Sequence, residues 1–300
     1  MRAAIARALG DDGAAVLAPI TTSGDRIQDR RLTEIGGKGL FTKEIEDALL
    51  EGRIDAAIHS LKDMPAISPD GLAIAAIPER EDPRDAFLSA RFASFADLPR
   101  GARLGTASLR RQAQALHLRP DLEVMPLRGN VDTRLAKLER GVADAILLAA
   151  AGLNRLGLGN LPLEWLDPVA TPPAPGQGAL AIQTRDEDAA SSWLAGLRHA
   201  PTALAVAAER GALEALEGSC RTAIGAFARI EGGLMRLTVE ALTPDGARRF
   251  RRQGDVSAEA CEAEARALGL ALGEAVRAEG GDALLLPSPL AGEGVGGAGG

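Results

Sequence analysis

Residues 104–149 read LGTASLRRQAQALHLRPDLEVMPLRGNVDTRLAKLERGVADAILLA, short apolar runs alternating with stretches of helical spacing. Residues 104–106 predict a strand. Residues 108–118 predict a helix that must stop before Pro120, because proline crowds a helical residue on its N-terminal side. Residues 123–126 predict a second strand, Asn130 caps a helix running to Gly141, and 145–149 predict a third strand. Strands alternating with helices in this order make an α/β unit, and the same alternation in the first 80 residues predicts a mainly parallel sheet covered by helices.

Both strand-to-helix junctions carry arginine. In GTASLRRQ (105–112) the helix start is flanked by Thr106 and Ser108 hydroxyls and by Arg110 and Arg111. In LRGNVDTR (127–134) Arg128 precedes the cap and Arg134 lies on the first turn. Free N–H groups at a helix start attract anions, and the planar fork of arginine suits carboxylates. Surface arginines on ordinary helices explain either junction alone. Two junctions in one unit, with Arg155 following the third strand, point to a ligand with several carboxylates or phosphates.

Working outward, residues 16–20, 56–59 and 72–77 predict strands, and 42–51 a helix stopped by Gly52. The charged turn 79–84 (EREDPR) is a hinge candidate. TPPAPGQG (171–178) is a crossing segment, and 179–184 predict a strand that returns to the first sheet. Residues 202–217 predict a helix, and 223–229 and 234–242 antiparallel strands joined through Gly232 and Gly233. Cys261, Ala265, Leu268, Leu272 and Val276 share one face of a final helix, where Cys261 reads as inert core filling. The Gly-rich residues 285–300 are expected to be disordered.

Composition narrows the function. A net charge of −7 and the absence of tyrosine argue against a nucleic-acid binder. Two cysteines and three scattered histidines give neither a disulfide framework nor a metal-ligand spacing. The start, MRAAIARALGDDG, has no apolar core of a secretory signal, and no run approaches the ~18 apolar residues of a membrane span. A cytoplasmic monomer is expected.

Three more stretches carry chemistry. HSLKDMP (59–65) follows a predicted strand, and a strand's carboxyl end is where ligands sit in α/β sheets. Asp63 there can steady a cation or shuttle a proton, although an Asp–Lys turn before proline is also an ordinary structural element. GGKGLF (36–41) is a glycine-rich loop that is not a Walker A loop, with Lys38 and Phe41 as an anion contact and an apolar wall. Cys220, in the turn Gly218-Ser219-Cys220 beside Arg221, is a reactive-thiol candidate, because a nearby cation favours the thiolate.

Taken together, GGKGLFTKEIEDALLEGRIDAAIHSLKDMP, EREDPRDAF, GTASLRRQAQ, LRGNVDTRLAKL, AAAGLNRLG, PAPGQGALAI and the GSC turn resemble the hydroxymethylbilane synthase (porphobilinogen deaminase) family, in the family's order, over roughly residues 15 to 230. The resemblance implies two periplasmic-binding-protein-like (type II) α/β domains plus a small C-terminal α+β domain. The boundaries it suggests are 1–78 with 179–197, 84–172 and 201–284. It implies a transferase of porphyrin and heme biosynthesis that deaminates and joins four porphobilinogen molecules on a dipyrromethane cofactor, thioether-linked to Cys220, and then hydrolyses off hydroxymethylbilane. Asp63 matches the catalytic aspartate. Lys62, Thr106, Ser108, Arg110, Arg111, Arg128 and Arg134 match cofactor contacts. Arg128, Arg134, Arg155, Lys38 and Phe41 match substrate contacts. No metal is implied.

The chain departs from the family at its start, where an Arg-x-Ser-x-Leu-Ala segment and its strand are expected, so the first domain is expected to lack its first strand. Glu34 also stands where the family often has lysine. The competing readings are a non-enzymatic small-anion binding module of the same two-domain type, with no use for Cys220 or Asp63, and a phosphate-handling enzyme.

Overall fold

The computed structural model describes residues 1–23, 42–161, 163–216 and 222–284. Three sheets organise them. The first has three strands in the order β1 (Ala57–Ser60), β8 (Leu180–Arg185), β2 (Leu72–Ala76). Strand β8 runs antiparallel to both neighbours. The return of 180–185 to the first sheet is therefore as the sequence suggests, and it takes the central place. Helix α1 (Arg2–Leu9) and helix α2 (Lys43–Leu50) belong to this part of the chain, with Leu49 of α2 fully buried beside Ala57 and Leu72.

The second sheet has five strands, β5 (Glu123–Met125), β4 (Arg103–Gly105), β6 (Ala145–Ala149), β3 (Asp85–Leu88) and β7 (Leu163–Trp165), in that order. Its first three strands are parallel, whereas β3 is antiparallel to β6 and β7. Helix α3 (Leu109–Leu118) and helix α4 (Val131–Glu139) make the crossovers. Strand β6 is apolar without alternation because both of its faces are covered: Ala145 and Ile146 have no exposed surface. It gives way at once to helix α5 (Ala150–Arg155), and the short helix α6 (Ser192–Ala195) follows β8.

The third sheet is an antiparallel meander of β9 (Ala223–Glu231), β10 (Leu234–Leu242) and β11 (Arg249–Ser257). Met235, Leu237, Val239 and Ala241 alternate along β10 toward helix α7 (Ala200–Ala215) and helix α8 (Glu262–Gly280). The two helices lie close because Gly269 faces the backbone of the other: a Cβ there would meet the Ala208 carbonyl oxygen at 1.9 Å.

Buried polar groups join the sheets. The Glu209 carboxylate on α7, with no exposed surface, accepts bonds from Arg80 (2.7 and 3.0 Å), from the Gly176 N–H (2.7 Å) and from the Ala228 N–H (2.9 Å). Gln114 on α3 donates to the Pro172 carbonyl (2.8 Å) and to Glu240 on β10 (2.7 Å). The crossing segment is thus held from both sides.

Several expectations are corrected. The first sheet is antiparallel, not mainly parallel, because the returning strand β8 enters between β1 and β2, and the second is mixed because β3 reverses against β6. Residues 16–20 form no strand: Val16 and Leu17 are 87% and 68% exposed. Apolar, β-branched content favours a strand only where a neighbour supplies the ladder, and these residues have none among the described ones. Cys261 is not core filling; it is exposed and caps α8, its sulfur accepting from the helix while Glu264 accepts from its N–H (2.8 Å). Strands β3, β7 and β11 escaped the sequence reading, β7 because it is only three residues long and β11 because its sequence, RFRRQGDVS, is mostly charged and polar. Residues 285–300, expected to be disordered, lie outside the described residues.

Candidate active site

The ends of β1 and β6, the starts of α4 and β8, and Arg111 of α3 enclose a cavity of about 210 Å³. The side chains of Lys62, Arg111, Arg134 and Arg155 line it, together with Ser60 and Asn130 and a backbone of small residues (Gly129, Gly152 and Gly178). Among the described residues, four cations and no carboxylate line this space. It lies where a parallel sheet places ligands, beyond the carboxyl ends of its strands.

Local sequence places each group. Ser108 caps α3, its hydroxyl accepting from the Arg111 N–H (3.4 Å), and the buried Thr106 hydroxyl accepts from the Ser108 N–H (3.2 Å). Asn130 caps α4 by accepting from the Thr133 N–H (2.9 Å). Arg111 and Arg134, each within four residues of its cap, lie on the cavity wall.

The arginines fall into two classes. Arg110 and Arg111 are buried against one carboxylate, Asp85 at the start of β3. Arg110 Nη1 meets Asp85 Oδ2 at 2.8 Å, and Arg111 Nη2 meets Oδ1 at 2.7 Å. Arg110 also donates to Gln114 (2.8 Å) and the Pro172 carbonyl (3.2 Å), and it does not line the cavity. Burial pushes the Asp85 carboxyl up, but the two guanidinium groups dominate and hold it far below the ordinary carboxylate range.

Arg134 and Arg155 have no carboxylate within salt-bridge distance among the described residues. Arg134 donates to the Gly129 carbonyl (2.7 Å) and Arg155 to the Gly178 carbonyl (3.0 Å). Burial, with Arg111 and Arg128 nearby, lowers the Arg134 pKa to about 10. It therefore stays charged at neutral pH in a place that disfavours its charge, as expected of a group awaiting an anion. Arg128 lies within that electrostatic range, and its carbonyl accepts from Lys137 (2.9 Å).

Lys62 and Asp63 sit in a single 3₁₀ turn (Leu61–Asp63) directly after β1. Burial lowers the Lys62 pKa, and Asp63 partly offsets it. The Asp63 side chain is open to solvent, yet enough protein surrounds it that loss of hydration raises its pKa; Lys62 and His59 oppose the rise without cancelling it. His59 is buried against Gln183 (3.0 Å) and, through burial, has a lowered pKa. The turn thus presents one carboxyl that holds its proton above the ordinary range beside a cluster of cations.

The structure brings together Lys62, Arg111, Arg134 and Arg155 around one space, with Asp63 adjoining Lys62 and with Thr106 and Ser108 on the helix start behind Arg111. Lys38, Phe41 and Cys220 lie outside the described residues. Asp85 escaped the sequence reading, because the two arginines that mark it lie 25 and 26 residues further along the chain. Among the described residues no group of three or more His, Cys, Asp or Glu is placed to hold a metal ion.

The family model for the dipyromethane cofactor binding domain of porphobilinogen deaminase matches residues 2–192. The chain belongs to the porphobilinogen deaminase family. The C-terminal domain model of porphobilinogen deaminase matches residues 203–278. The porphobilinogen deaminase of Caulobacter vibrioides (strain NA1000 / CB15N) is 68% identical over 298 residues, covering 96% of this chain and 92% of the relative. That of Phenylobacterium zucineum (strain HLK1) is 64% identical over 293 residues, covering 94% and 92%. Among solved structures, substrate binding domain 2 of Lactococcus lactis GlnP is similar at 15% identity and a TM-score of 0.37, covering 65% of this chain and 74% of that one, a likeness too distant to carry an argument.

Proposed function

We propose that this porphobilinogen deaminase family member is a transferase that joins four porphobilinogen units head-to-tail on a dipyrromethane primer and releases hydroxymethylbilane by hydrolysis. The observation that supports this most directly is the cavity that, among the described residues, is lined by four cations and no carboxylate. Each pyrrole unit carries an acetate and a propionate, so a growing chain gains negative charge at every addition. An arginine held charged against burial, as Arg134 is, fits a polycarboxylate group.

The dipyrromethane group, when bound, would supply the free pyrrole carbon at which the first unit is added, and each later unit would join the end of the growing chain. In this reading Cys220 tethers it through a thioether, and Lys62, Thr106, Ser108, Arg110, Arg111, Arg128 and Arg134 hold it. Arg128, Arg134, Arg155, Lys38 and Phe41 receive substrate. Arg110 acts through Asp85, since its guanidinium is turned from the cavity. Asp63 gives a proton to the departing amine of porphobilinogen and, once ionised, faces the cationic methylene that C–N cleavage leaves. A raised pKa suits the first role and the carboxylate form the second. The three sheets are then the cores of three domains, 1–78 with 179–197, 84–172 and 201–284. The protein is proposed to work as a cytoplasmic monomer without nucleic-acid or membrane partners; among the described residues no helix is long and apolar enough to cross a membrane.

Intact-mass measurement tests the tether. The native protein is expected to carry an excess of two pyrrole units located on Cys220, and Cys220→Ser is expected to lack it. Native protein without that excess, and without ammonia release from porphobilinogen, would sink the reading. A second outcome concerns Arg134. Its folded pKa lies below the unfolded value, so its charged form costs stability at any pH below about 10. Arg134→Leu is therefore expected to raise the denaturation midpoint at neutral pH while raising KM for porphobilinogen roughly ten-fold or more.

A further inference from the structure

The turn Gly176-Gln177-Gly178 lies between the Lys62–Asp63 turn and the Asp85–arginine cluster. Gln177 is 1% exposed. Its amide nitrogen donates to the Pro83 carbonyl (2.7 Å), the Asp85 carboxylate (2.9 Å) and, at longer range, the Arg84 carbonyl (3.3 Å). Its amide oxygen accepts from Lys62 Nζ at 3.5 Å. The orientation is fixed by chemistry: a flipped amide would set its oxygen against three acceptors and its NH₂ against an ammonium.

The backbone around Gln177 is equally determined. Its carbonyl accepts from Arg80 Nε at 2.8 Å, and Arg80 is itself clamped by Glu209, which also takes the Gly176 N–H. Gly178 has φ +87°, and a Cβ there would meet the Glu81 carbonyl oxygen at 2.4 Å. Only glycine lets the chain pass so close to residues 81–82 and insert the amide. The Gly178 carbonyl, in turn, receives Arg155.

We propose that Gln177 is a positioning residue for the reaction: its amide aims the Lys62 ammonium into the cavity and ties it to the cluster of Asp85, Arg110 and Arg111. Glutamine suits this place because one group must accept from a cation and donate to a carboxylate and a carbonyl at once. Glutamate would confront Asp85, and methionine would offer Lys62 no comparable acceptor. The inference rests on the proposed function only for its effect on turnover; the geometry it concerns exists without substrate.

The test reads Lys62 directly. Trace acylation with an amine-selective reagent, followed by peptide mass spectrometry across pH, gives the midpoint at which Lys62 loses its proton. Gln177→Met removes the acceptor from the ammonium and is expected to lower that midpoint by roughly half a pH unit or more. Gln177→Glu sets a carboxylate beside it and is expected to raise it. Shifts of opposite sign, with kcat reduced in both variants, support the proposal. Equal midpoints in all three proteins overturn it. So do shifts of the same sign, which general loosening of the fold would give. Native protein that turns over no porphobilinogen, but whose Lys62 midpoint moves as stated in the variants, refutes the proposed function and leaves the positioning role standing.

Discussion

Asp85→Ala is expected to be the most destabilising single change at the site, costing about 3–5 kcal/mol because it strands two buried guanidinium groups. Arg110 and Arg111 are 5% and 6% exposed and share this one carboxylate. The pH dependence follows from the sign of the shift. The native pKa lies far below the unfolded one, so the stabilisation is complete above the ordinary aspartate range and fades as pH falls through it toward the native pKa. Chemical denaturation at pH 7 and again near pH 4 checks this. The gap between native and variant is expected to be widest at pH 7 and to narrow in acid. A loss under about 1 kcal/mol at pH 7 would mean that relaxation or water readily replaces the carboxylate. Loss of Arg111 from the cavity wall is expected to accompany the loss of stability.

Asp63→Asn is expected to have the opposite profile: turnover lower by about 10²–10⁴-fold, with the fold intact. Here the native pKa lies above the unfolded value, so the group favours the folded state most when protonated, and that advantage is lost as pH rises through the native pKa. At neutral pH the neutral amide is therefore expected to leave the melting temperature unchanged or higher. Rate measurements across pH add a second check, because the native profile is expected to carry a limb set by this carboxyl above the ordinary aspartate pKa, and the variant to lack it. Near-normal turnover by Asp63→Asn would remove this residue from the mechanism.

The contrast between these two aspartates shows what was legible in the chain and what was not. Asp63 could be singled out because it follows a strand and adjoins a lysine in a compact motif. Asp85 could not, since nothing local to EREDPRDAF says that two arginines 25 and 26 residues later will close on it. The helix starts that carry the arginines were readable: Asn130 caps α4 as expected, and Ser108, read only as a hydroxyl at the helix start, caps α3. The division of the arginines into a pair neutralised by Asp85 and a pair without a carboxylate was not readable, because it depends on where β3 enters the sheet. Strand β6 was plain from its unbroken apolar run. Residues 16–20 shared the apolar character but have no strand neighbour among the described residues, and a ladder is a property of two segments. Gln177 gave no signal by residue type; only the distances to Lys62 and Asp85 mark it.

The central place of β8 in the first sheet has a consequence for how the molecule is made. Among the described residues, strands β1 and β2 bond to β8 and not to each other, so the ladder they form there waits until residues 180–185 are available. The five-stranded sheet draws all its strands from residues 85–165, a continuous stretch. During synthesis from the N-terminus, that middle stretch can complete its sheet while residues 57–76 are still waiting for their central strand. The order of assembly is then inner segment first and outer segment second, with the loop closure across more than a hundred residues as the slower event. A nascent chain stopped before residue 180 would carry a finished second sheet beside two unpaired strand edges, which is the kind of surface that chaperones cover.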